Sequence, residues 1–156
     1  MRLLHPFTLA ACLVSTIAAA GEITEKTDRF RGTKTVSWES YRDPGRGFSY
    51  NVYAHFAKPS DKAPYRYYAI LVPPAGTESF GSCSDNVWLI DDVRAPELEA
   101  SYDASSGTQM FRTVLNRDTL EKLGAAKSVE FKICNTEAAV SQADLVGIRQ
   151  LLEATK

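Results

Sequence analysis

Hydrophobic and polar residues alternate through the middle of the chain with the two-residue period of half-buried β-strands. In Thr33–Ser40, Val36 and Trp38 stand against Thr35 and Ser37. Over 48–56, Phe48, Tyr50, Val52, Ala54 and Phe56 form one face, and Ser49, Asn51, Tyr53 and His55 the other. Residues 65–72 are apolar on both faces, the pattern of a central strand covered on both sides. Shorter strands are predicted at 87–90 and 97–103. The next covers 109–115, with Met110, Arg112 and Val114 opposite Phe111, Thr113 and Leu115. A last one covers 128–134, with Val129, Phe131 and Ile133 inward. Turn-forming clusters separate these runs at 43–47, 58–64, 73–76 and 104–107. Asp91-Asp92 is placed to reverse the chain, although an Asp-Gly pair is the stronger hairpin signal.

After residue 115 the period changes. Asn116 suits an N-cap for a short helix with Leu120 and Leu123 on one face, ending near Gly124. Ser141 suits the cap of a final helix, with Asp144 three residues on as a partial capping box. Leu145, Ile148, Leu151 and Leu152 give that helix one apolar stripe. Strands in a run with helices late and no βαβ alternation predict an α+β fold. The expected architecture is a mostly antiparallel sheet of about six to seven strands, with two helices of the C-terminal half on one face.

The N-terminus follows neither period. Arg2 is the only charge before Glu22, an apolar run centred on 7–17 follows, and Ala18-Ala19-Ala20-Gly21 has small residues where a signal peptidase reads. His5, Pro6, Thr8, Ser15 and Thr16 interrupt the stretch, which argues against a membrane-spanning helix. Residues 1–20 therefore read as a signal peptide cleaved near Ala20, and 21–156 as one domain with a polar, flexible lead over 21–32. Leu9-Ala10-Ala11-Cys12 also fits a bacterial lipoprotein box, so acylation of Cys12 is the alternative. The expected location is periplasmic or secreted, with no membrane span in the mature chain.

Composition narrows the function classes. With 44% hydrophobic and 24% charged residues the 156-residue chain is globular, not disordered. A net charge of −1 gives no global electrostatic ground for binding nucleic acid or an anionic membrane. Without residues 1–20 the chain keeps one histidine, His55, and two cysteines, Cys83 and Cys134. Two cysteines in an exported chain read as one disulfide. The alternative is a pair of free thiols, though neither lies in a C-x-x-C.

The search for chemistry returns little. H-E-x-x-H, G-x-G-x-x-G, the P-loop and G-x-S-x-G are all absent. Any histidine-dependent triad must use His55, which falls on the mixed face of a strand. Neither a cofactor nor a metal is expected. Asp91 and Asp92, with Asp85 nearby, form the densest acidic cluster, either a cation or acid–base site or a solvated turn after a buried Trp88. Tyr65, Tyr67 and Tyr68 with Arg66 form either an aromatic platform or a sheet interior. Trp88, Asp91, Asp92 and Tyr67 are thus the candidate binding residues.

Three segments carry a resemblance. They are Asp28-Arg29-Phe30-Arg31-Gly32-Thr33, the stretch Cys83-Ser84-Asp85-Asn86-Val87-Trp88-Leu89-Ile90-Asp91-Asp92, and Ala125-Ala126-Lys127-Ser128-Val129-Glu130-Phe131-Lys132-Ile133-Cys134-Asn135-Thr136-Glu137. The chain resembles a group of small exported bacterial proteins of unknown function. In that group a cysteine precedes a Trp-Leu-Val-Asp-Gly-type strand and turn, and a second cysteine ends a Val-Glu-x-Lys-Ile-Cys-Asn strand. The sequence departs at Asp92, where the group carries glycine. The resemblance implies the fold and the cysteine pair, and no activity.

The leading expectation is a non-catalytic exported binding domain whose partner is an envelope protein, a peptide or a glycan. An inhibitor or immunity protein against an envelope-acting enzyme or toxin is the first alternative, with loops 76–86 and 103–108 as its wedges. A hydrolase using His55 or the acidic cluster is the second.

Overall fold

The computed structural model describes residues 21–40, 47–74, 76–77, 80–104 and 107–156. The expected signal peptide over 1–20, Cys12 and most of the expected 43–47 turn lie outside the described residues, as do parts of the 76–86 and 103–108 loops. The fold is α+β, with antiparallel sheets, two helices and the Cys83–Cys134 disulfide.

Among the described residues the strands form two sheets. The larger holds β1 (Gly21–Asp28), β2 (Thr33–Ser40), β3 (Ser49–Phe56), β4 (Arg66–Val72), β7 (Ser101–Asp103) and β8 (Met110–Leu115), in the order β1-β2-β3-β4-β8-β7. The smaller holds β5 (Asn86–Ile90), β6 (Val93–Arg94), β9 (Val129–Ile133) and β10 (Thr136–Ala139), in the order β10-β9-β5-β6. Helix α1 (Arg117–Ala125) and helix α2 (Gln142–Ala154) pack on each other, and α2 lies across β1, β2 and β3.

Register follows the alternation. Val36, Val52, Ala54, Ala69, Leu71 and Phe111 turn inward from the large sheet and meet Trp88, Phe131 and Ile133 of the small sheet in one core. Phe48 meets Phe131 edge-on at 5.0 Å between centroids, and Tyr50 lies 6.0 Å from Trp88. Leu145, Ile148 and Leu151 of α2 are fully buried in the same core. Burial of each contributes about 2 kcal/mol. A 13-residue helix is marginal alone, so packing rather than propensity holds α2. The caps form as the sequence predicts: Asn116 accepts from Thr119 N and Ser141 from Asp144 N.

Three expectations are corrected. Residues 21–28 are not a flexible lead but strand β1, paired with β2 from Gly21↔Ser40 to Asp28↔Thr33. Its charged residues suit a sheet edge, where backbone pairing holds the strand and apolar alternation is not needed. Residues 97–103 are not one strand: Pro96 starts a 3-10 turn, Pro96–Leu98, that buries Leu98, and β7 follows. Among the described residues, strand β4 is covered on one face only. Tyr68 and Ile70 remain half-buried on the other, because cross-strand side chains rather than a second layer shelter them.

The Asp91-Asp92 turn closes the β5–β6 hairpin across Ile90↔Val93. Both residues have positive φ, +48° and +65°, as a two-residue type I′ turn requires. Asp91 earns its place by accepting hydrogen bonds from the backbone N–H groups of Lys127 and Ser128 at 2.8 and 2.9 Å. Asp92 has no such tie among the described residues. Asp92→Gly removes the left-handed penalty and is expected to raise stability by about 0.5 kcal/mol, net of glycine's greater chain entropy. A lower denaturation midpoint for that variant would contradict this account of the turn.

Candidate binding face

The sequence-predicted site residues are not brought together. Trp88 is 1% exposed and its indole N–H donates to Asn86 Oδ1. Tyr67 is 5% exposed on the inner face of β4, its hydroxyl accepting from Arg117. Neither offers surface to a ligand. Asp91 and Asp92 are exposed, and Asp91 is engaged in the turn.

Two of the depressions near these residues hold paired ions. One, of about 430 Å³, is bordered by Asp91, Val93, Arg94, Glu97 and Lys122. Its charges are spent internally: Lys122 pairs with Glu97 at 3.4 Å and Arg94 with Glu99 at 3.2 Å. Glu97 is correspondingly held below the usual carboxylate range by a backbone hydrogen bond and by Lys122. The other, of about 320 Å³, lies over Val87, Leu89 and Ala138 on the small sheet. There too the cation is paired, Lys132 with Glu137 at 2.7 Å.

The outer face of the large sheet differs. Tyr53 and Tyr68 are cross-strand partners, and their rings stack at 4.7 Å with planes 14° apart. His55 stacks on Tyr68 at 5.1 Å, and the Arg112 guanidinium lies 4.3 Å from the Tyr68 ring centre. Tyr65, 66% exposed, approaches His55 at 6.5 Å. Arg66 is the cross-strand partner of His55. Four strands, β2, β3, β4 and β8, thus present one ladder of aromatic rings and cations, with Thr35 Oγ1 at 3.0 Å from His55 Nδ1 at its end.

Neither Arg66 nor Arg112 forms an ion pair among the described residues, although both are exposed. Their field reaches the neighbouring groups. Burial lowers the His55 pKa, and Arg66 and Arg112 lower it further. Burial, with Glu39 and Tyr68, raises the Tyr53 hydroxyl to about 12. Tyr68 is raised by burial, with the two guanidiniums pulling the other way. At neutral pH the face therefore carries two protonated phenols, a neutral imidazole and two unpaired cations. Glu39, toward β1, is held by Lys26 at 3.7 Å and by the Ser37 hydroxyl.

His55 has a hydroxyl partner in Thr35, but no carboxylate among the described residues bonds its ring, so nothing orients it as a base in the manner of a triad. Of the Tyr65–Tyr68 run, the structure turns Tyr67 inward and Tyr68 outward. The pairing of Tyr68 with Tyr53 and Arg112 has no local sequence signal. No protein-family model, curated protein or solved structure matches the chain.

Proposed function

We propose that this chain is an exported, non-catalytic binding domain of the bacterial envelope, and that its binding surface is the outer face of the six-stranded sheet. One observation carries the reading: a sheet face that no other described element covers, bearing stacked aromatic rings and two cations without an ion-pair partner among the described residues. Clustered rings and cations that shift one another's ionisation mark a candidate binding surface. The signal-peptide pattern of residues 1–20, the resemblance to small exported proteins, and a disulfide suited to an oxidising compartment support the location.

Retention on an isolated bacterial envelope fraction tests it. The wild-type domain is expected to be retained. The Tyr68→Ala/Arg112→Gln variant is expected to wash through, while Arg94→Gln/Lys122→Gln, at the depression beside α1, is retained as wild type. The reverse pattern would move the binding surface to the hairpin side. Intact mass of the exported protein checks the location: a chain beginning at Gly21 supports cleavage, and a diacylglyceryl group on Cys12 would replace it with a lipid anchor.

A further inference from the structure

We infer that the outer sheet face binds a linear acidic polysaccharide, with Arg66 and Arg112 holding its carboxylates and Tyr65 stacking against a sugar ring. The inference rests on the binding-face reading above and names the ligand class.

Charge selects an anion. Arg66 and Arg112 are exposed and unpaired among the described residues, whereas the cations at the other two depressions already have carboxylate partners. A guanidinium grips a carboxylate through two parallel N–H donors, which gives geometry as well as energy. Arg112 also lies against Tyr68, which limits its motion and lowers the entropy lost when it binds.

Hydrogen-bonding character selects a ligand rich in acceptors. The Tyr53 and Tyr68 hydroxyls stay protonated because their ionisation is pushed upward. Tyr68 stands against the Arg112 guanidinium, and Tyr53 stacks on Tyr68, so both offer neutral donors on the same face. Sugar hydroxyls and carboxylates are their natural complements.

Shape selects a polysaccharide over a peptide. Peptides that add to a sheet use a free edge, and helical ligands need a groove. Here Tyr53, His55, Arg66, Tyr68 and Arg112 lie on β3, β4 and β8, inside the edge strands β1 and β7. Tyr53, His55 and Tyr68 use their ring faces on one another. Tyr65 stands 6.5 Å from its nearest ring neighbour at a tilt of 45° and is 66% exposed, so it has a ring face to offer. Val114, 61% exposed on β8, adds apolar surface for sugar C–H groups.

Spacing calls for an oligomer. Arg112 is in register with Ile70, four residues along β4 from Arg66. The two Cα positions are thus about 13 Å apart along the strands. A single sugar acid engages one guanidinium, and a chain of several reaches both.

The test is calorimetric titration of the disulfide-intact domain with a hexauronate prepared from alginate. Binding is expected, weakening as salt rises from 50 to 300 mM. Arg66→Gln/Arg112→Gln is expected to lose roughly tenfold or more in affinity, with a melting temperature lowered by no more than a few degrees for the lost Arg112–Tyr68 contact. Tyr65→Ala is expected to lose several-fold, and the monouronate to bind far more weakly than the hexamer. A neutral dextran hexasaccharide, a hexaglutamate peptide and a dT hexanucleotide serve as comparators. The proposal fails if the hexauronate does not bind, if the double glutamine variant binds it equally, or if the peptide or oligonucleotide binds as tightly. Failure here with envelope retention still lost in Tyr68→Ala/Arg112→Gln removes the polysaccharide and keeps the binding face. Failure of both removes both.

Discussion

Replacing both Cys83 and Cys134 with serine is expected to lower stability by about 4 kcal/mol, the chain-entropy value for a loop of this length. The cross-link joins positions 51 residues apart. It ties the segment that carries Phe80 to the β9–β10 turn, where Cys134 N–H donates to Asp85 O at 3.0 Å. Phe80 in turn packs on Phe48 and Phe111. The cross-link therefore fastens the small sheet's hairpin to the large sheet's core. For a domain of this size the loss corresponds to a drop of roughly 12–20 °C in melting temperature. Cys134 has a further cost of its own, since its φ of +54° lies in the left-handed region. In the Cys83→Ser background, Cys134→Gly is expected to melt higher than Cys134→Ser, because glycine adopts that turn conformation without a Cβ penalty. Thermal melts of the three proteins, with wild type also measured under reductant, check both parts. A reduced wild type that melts where the oxidised protein does would refute the role of the cross-link.

Gly147→Ala is expected to destabilise the domain by about 1–5 kcal/mol, against the local propensity. In an exposed helix interior the same change would add about 1 kcal/mol. Here a Cβ would lie 2.1 Å from Cδ2 and Cε2 of Trp38. The Trp38 indole rests on α2 at this glycine and donates its N–H to Asp144 Oδ1 at 2.9 Å, one turn earlier. Asp144 is 1% exposed and also accepts from the hydroxyl of Ser141, the cap of α2. The same indole occupies the space a side chain would need at Gly21 in β1. A methyl group at 147 must move either the ring or the helix. Overpacking costs about 1–3 kcal/mol, and a shifted ring leaves its buried N–H without a partner at a further cost of about 1–3 kcal/mol. Urea denaturation followed by tryptophan fluorescence measures the sum. A gain in stability would show that the indole relaxes freely and that helix propensity prevails.

The accuracy of the sequence reading varied along the chain for physical reasons. Strands β2, β3, β8 and β9 and both helices were legible because a buried face repeats every two residues, or in a stripe, and their end caps are local. Strand β1 was not, because an edge strand rich in Glu, Lys and Asp is held by its pairing with β2. The break at 96–98 was hidden because Leu98 fits a strand pattern and a 3-10 turn equally well. The two-sheet division was also out of reach. It depends on which strands pair, and Trp88 pairs with Phe131 forty-three positions away.

By itself the sequence determined the α+β class, the faces of the main strands, the helix caps and the two cysteines available for a cross-link. Each of these is set by neighbours within a few residues or by composition. The tertiary structure alone decided that Tyr67 is core while Tyr68 is surface, and that β4 is covered on one side. It also decided that Tyr53, His55, Tyr68 and Arg112 stack across three strands. Alternation says which residues share a face. Only strand pairing says which side chains meet across it, and only the packing of helices and the second sheet says which face is left to water.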